Sequence, residues 1–147
     1  MRNVVFRVSV SGSLLVLLLL PISGGTPGTL EVGYDAKAIW NHEGKDVNGN
    51  PETIAKAEIA LSITSMDLRK NQPYLEKIVV PSKAGRNEAS ISELLADREP
   101  GTYRLWIRVI DKANHKSDWG QPATIRLGLT NRPPQRKNVG CAAACNS

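Results

Sequence analysis

From Tyr103 to Ile110 the chain alternates without a break: Tyr103, Leu105, Ile107 and Val109 fall on one side, Arg104, Trp106, Arg108 and Ile110 on the other. A period of two over this length belongs to a β-strand with one buried face. An amphipathic helix would return its apolar residues every three or four positions instead. The same period recurs upstream. Ala55, Ala57, Ile59, Leu61 and Ile63 oppose Lys56, Glu58, Ala60 and Ser62, and Ala36, Ala38 and Trp40 oppose Lys37 and Ile39. Shorter strand signals lie at Thr29–Val32, Tyr74–Val80 and Ala123–Leu129. Ala89–Leu95 reads as a short strand giving way to a helical turn near Leu94, because Ser90-Ile91-Ser92-Glu93 has capping-box spacing. Polar, turn-forming stretches separate these runs: Asn41–Pro51, Ser65–Pro73, a turn at Lys83–Asn87, and Asp111–Gly120. About seven short strands, no long amphipathic helix and no internal repeat predict an all-β fold, a single antiparallel seven-stranded β-sandwich over residues 26–130.

The two ends have different compositions. Arg2 and Arg7 precede an unbroken apolar run from Leu14 to Leu20; Pro21 stops it, and Ser23-Gly24-Gly25 supplies small residues. This is the three-part layout of a secretory signal peptide over residues 1–25. The run is short for a membrane span, and an uncleaved signal anchor is the alternative reading. The expected location is secreted or periplasmic, with no span left after leader removal. Residues 131–147 read as a loosely attached tail holding both cysteines of the chain, Cys141 and Cys145. Their spacing is one residue longer than a redox or zinc Cys-x-x-Cys pair. A small-loop disulfide or a bond to another chain is open to them.

Charge and chemistry narrow the function classes. The 147 residues carry 19 basic and 14 acidic side chains; removing Arg2 and Arg7 with the leader leaves 17 basic against 14 acidic, a net +3. That balance is dispersed, without a run of five like charges, and does not point to nucleic acid. His42 and His115 both fall in turn-like polar stretches, beside no Gly-x-Ser-x-Gly or His-Glu-x-x-His pattern, so each reads as a solvated loop histidine and no catalytic set or metal site is expected. Asp46, Asn48 and Asn50 open like a calcium loop, but Pro51 and Ala57 stand where its glycine and closing glutamate belong. No cofactor is expected, and a small secreted hydrolase is disfavoured for lack of a nucleophile motif.

Pro100-Gly101-Thr102-Tyr103 resembles the approach to the sixth strand of a fibronectin type III domain, one residue shorter than the common Pro-Gly-Thr-x-Tyr form. Asp111-Lys112-Ala113-Asn114-His115-Lys116-Ser117 is similar to that family's Asp-x-Ala-Gly-Asn-x-Ser turn, with Asn114 for Gly and His115 for Asn. Asn tolerates the left-handed conformation the turn requires. Trp40 resembles the core Trp of the family's second strand, and Ala57, Ile59 and Leu61 the alternation of its third. The resemblance covers roughly residues 28–129. It implies an Ig-like sandwich and leaves function open, since that fold hosts many.

The outward side of the alternating strand is the candidate binding face. Arg104, Trp106 and Arg108 share it and Trp119 follows after the turn. Arg stacked on Trp contributes about 0.5–1 kcal/mol when exposed, and Trp flanked by Arg is enriched in binding hot spots. The alternative is that Trp106 is covered by neighbouring strands or by the tail. The reading is a secreted, non-catalytic binding or structural module with a protein or glycan partner. A carbohydrate-associated accessory module of a cell envelope is the second reading.

Overall fold

The computed structural model describes residues 5–9 (backbone only), 28–45, 50–51 and 53–134. Among them eight strands form two sheets. The strands are β1 (Val5–Ser9), β2 (Leu30–Val32), β3 (Lys37–His42), β4 (Ile54–Ile63), β5 (Glu76–Pro81), β6 (Gly85–Ser90), β7 (Gly101–Asp111) and β8 (Ala123–Leu127). A 3-10 turn (Leu68–Lys70) lies between β4 and β5, and a single-turn helix α1 (Ser92–Leu95) between β6 and β7. One sheet has the order β1-β3-β6, the other β2-β8-β7-β4-β5. All pairings are antiparallel except β2 with β8. The fold is therefore all-β, and no helix among the described residues is long and apolar enough to cross a membrane.

The alternation read from the sequence sets which faces meet. Ala36, Ala38 and Trp40 from the β3 side, Ala57, Ile59 and Leu61 from β4, Leu105 and Ile107 from β7, and Ile125 and Leu127 from β8 join one buried cluster shared by the two sheets. Fully burying an aliphatic side chain of this size contributes about 1.5–3 kcal/mol. Ile91, Leu94 and Leu95 close the same cluster from α1, so the expected helical turn is present and packs inward. The Trp40 indole N–H donates to Ser82 Oγ at 3.1 Å, which satisfies a polar group inside the core.

Four expectations change. The strand after the β5 turn is Gly85–Ser90, so the turn placed at Lys83–Asn87 is mostly strand. Asn87 accounts for this: its side chain accepts from Lys83 N at 2.9 Å and donates to Lys83 O and Gly85 O, which forms the tight turn just upstream. His42 is 5% exposed rather than solvated, since it ends β3, and its Nδ1 accepts from Gly44 N at 2.9 Å. The connection after β4 contains a 3-10 turn where only a polar loop was expected. Val5–Ser9, assigned to the leader, forms β1 on the edge of β3, which makes eight described strands instead of seven. An open strand edge offers unpaired N–H and C=O groups, and the Val/Phe-rich segment has the β propensity to fill it.

Two tyrosines tie the approach to β7. Tyr103 donates its hydroxyl to Glu99 O at 2.7 Å, and Tyr34 donates to Arg98 O at 2.6 Å. The Tyr103 bond thus reaches back four residues along the chain.

Candidate functional site

The outer face of the five-stranded sheet is built by the β4–β7 register, which sets Ser62 opposite Arg104, Ala60 opposite Trp106 and Glu58 opposite Arg108. Trp106 points away from the main core, as the alternation predicts, yet is 0% exposed. The small Ala60 leaves room for the indole, and Leu68 and Trp119 pack over it as a second apolar cluster. Its indole N–H donates to Ser62 Oγ at 2.9 Å. Covered in this way, Trp106 is not an exposed contact residue, and that part of the sequence reading is corrected.

Leu68 reaches the ring because the 3-10 turn presents it. Asp67 caps the turn, accepting from Arg69 N at 3.0 Å, and Asn71 ends it in the left-handed region at φ 58°. The Arg69 side chain holds Asp67 at 2.7 Å and lies 5.7 Å from the Trp106 ring centroid. Its bonds to the Asp67 carboxylate, against a smaller effect of burial, bring that group down to about 2. Arg104 donates to Met66 O at 3.0 Å, so it fastens the chain leading into this turn.

Arg108 has a different environment. Its guanidinium lies 4.3 Å from the Trp119 ring centroid and bonds Glu58 at 2.5 Å. Glu58 is 3% exposed and also receives Lys116 at 3.1 Å and Lys77 at 3.2 Å. Burial by itself would raise the Glu58 pKa; hydrogen bonds from Arg108, Lys116 and Lys77 outweigh it and hold the group at about 2. One carboxylate thus gathers three cations, and the cluster carries a net charge of two positive.

The segment between β7 and β8 brings Lys116 and Trp119 to this face. Asp111 starts its turn, accepting from His115 N at 2.8 Å and contacting His115 Nδ1 at 3.0 Å. Asn114 takes the left-handed conformation at φ 69°, as the sequence requires of it. The chain then runs back along β7: Ser117 N donates to Val109 O at 2.9 Å, and Gly120 N to Ile107 O at 2.9 Å. Between this segment and the 3-10 turn lies a cleft of about 550 Å³, whose walls include Arg69, Asn71, Arg108, Lys116, Asp118 and Trp119.

Of the four residues singled out in the sequence, Arg108 and Trp119 therefore meet at an open cleft, while Trp106 and Arg104 support its floor and approach. Glu58, Lys77, Arg69 and Lys116 belong to the same assembly and were missed. Glu58 and Lys77 sit on strands β4 and β5, and nothing in their local sequence marks them; only strand pairing brings them beside Arg108. Cys141, Cys145, Asp46 and Asn48 lie outside the described residues. No protein-family model, no curated protein and no solved structure matches this chain.

Proposed function

We propose that this chain is a secreted, non-catalytic binding module of fibronectin type III-like fold, and that the cleft beside Arg108 and Trp119 is its contact surface. The single observation that carries the reading is the arrangement at Glu58. A nearly buried carboxylate collects Arg108, Lys116 and Lys77, and one of these cations is stacked on a half-buried Trp at the wall of a cleft. Cation, aromatic ring and polar rim together are what recognition surfaces use.

The fold assignment is supported by the strand order. The β8-β7-β4-β5 order in one sheet and the β3–β6 pairing in the other are compatible with an Ig-like sandwich and favour that reading. The Tyr103 hydroxyl bond back to Glu99 O fits the tyrosine corner of that architecture. Export rests on the leader-like residues 1–25.

The second reading, a carbohydrate-associated accessory module, draws on the same cleft. The Trp119 ring and the Asn71 side chain offer an apolar face and hydrogen-bonding groups to a sugar.

The test is capture on immobilised chain from a secretome alongside a glycan panel, repeated with Lys116→Ala and Trp119→Ala. Binding that falls at least tenfold in both variants, each still folded at the assay temperature by circular dichroism, supports the reading. Binding indifferent to both variants removes the cleft from the function. Retention of a glycan in place of a protein selects the second reading.

A further inference from the structure

The two sheets have unequal edges. β2 is three residues long, β5 ends on Pro81, and β6 carries Arg86 and Glu88. Short edges, proline and charge are the features that keep a strand from pairing with another chain. β3 lacks them: Lys37-Ala-Ile-Trp-Asn-His has one charge and no proline. Among the described residues its second edge is covered by β1 alone, in the register Val5↔Asn41, Arg7↔Ile39 and Ser9↔Lys37.

Backbone directions identify which groups that cover satisfies. Ile91 N donates to Ala36 O at 3.0 Å, on the β6 side. In an antiparallel strand the N–H and C=O of one residue point the same way, and successive residues alternate. Ala38, Trp40 and His42 therefore pair with β6, opposite Ala89, Asn87 and Gly85. The N–H and C=O groups of Lys37, Ile39 and Asn41 face β1.

We propose that the Lys37–His42 edge is a strand-acceptor site. Its ligand is an extended segment of another polypeptide, at least as long as β1, running antiparallel to β3 and free of proline, with the β-branched and aromatic content of Val5-Phe6-Arg7-Val8-Ser9. The chain's own N-terminal segment occupies the site. Where residues 1–25 leave as a secretory leader, the site opens, and main-chain hydrogen bonds to a partner strand replace those to β1. This edge lies in the other sheet from the Arg108–Trp119 cleft, so the proposal is independent of that cleft, while its opening rests on the reading of residues 1–25 as a leader.

The experiment uses the full chain with Arg7→Pro, which removes the N–H opposite Ile39 and detaches β1, and a synthetic peptide of residues 4–10 as the probe. Amide exchange is read residue by residue. In the variant, Lys37, Ile39 and Asn41 are expected to exchange about tenfold faster or more, while Ala38, Trp40 and His42 stay protected. Adding the peptide restores the lost protection. Unchanged protection in Arg7→Pro, or no recovery at saturating peptide, overturns the proposal. A concentration-dependent dimer of the variant, protected at the same three amides without peptide, makes the occupant a second copy and overturns the assignment to a different polypeptide. If Arg7→Pro fails to fold, Ser9→Pro, at the end of the ladder opposite Lys37, is read in the same way.

Discussion

Trp106 occupies the outer face of β7 and has no solvent exposure, because Ala60 leaves a hollow beneath it and Leu68 and Trp119 lie over it. Trp106→Ala is therefore expected to destabilise the domain by about 3–5 kcal/mol, the usual cost of emptying a large aromatic site. It also removes the donor to Ser62 Oγ, which keeps its bond to Ile63 O. Urea denaturation measures this, and a loss under about 1 kcal/mol would mean the second apolar cluster is dispensable. Glu58 gives a pH dependence with a definite sign. Its pKa falls from 4.5 to about 2 on folding, so its contribution is present in full above about 4.5 and is lost as pH falls through about 2. The shift corresponds to a contribution on the order of 3 kcal/mol. The urea midpoint should drop across that window, and Glu58→Gln should flatten the drop while lowering the plateau above it.

At the scale of elements, the approach to β7 and the turn after it carry separate, measurable terms. Tyr103→Phe keeps the ring and deletes the hydroxyl bond to Glu99 O. A loss of about 0.5–1.5 kcal/mol is expected, read from the denaturation midpoint at constant m value. Asn114 at φ 69° holds the turn that returns Lys116 and Trp119 to the sheet. Asn114→Gly is expected to be close to neutral, and Asn114→Val to cost about 1–2 kcal/mol, because a branched Cβ crowds the carbonyl in that region. Elements with a long period-two pattern were legible in the sequence: β4 and β7 have nearly their expected bounds, and Ala57, Ile59, Leu61, Leu105 and Ile107 point inward, while Ile63, expected inward, is exposed at the end of β4. β6 was not legible. Gly85-Arg-Asn-Glu-Ala-Ser90 has no apolar alternation, and its strand conformation comes from pairing with β3 and from the Asn87 turn.

For the molecule as a whole, the outer-face cleft and the β3 edge belong to different sheets and should respond to different perturbations. A partner held by the cations around Glu58 is expected to bind less tightly as salt rises from about 0.1 M to 1 M, over which the screening length falls from about 10 Å to 3 Å. Strand pairing at β3, made through neutral backbone groups, should be nearly indifferent to the same change. Titration of each site at the two ionic strengths separates them. Period two, turn residues and the absence of a long amphipathic pattern were enough to determine an all-β chain and the inward set Leu105, Ile107, Ile59, Leu61 and Trp40, because each of these depends on neighbours close in sequence. Only the tertiary structure decided that Trp106 is covered, that Glu58 gathers Arg108, Lys116 and Lys77, and that β3 has an edge filled by Val5–Ser9. Each of these follows from contacts between segments far apart along the chain, set by strand order and register, which local patterning does not encode.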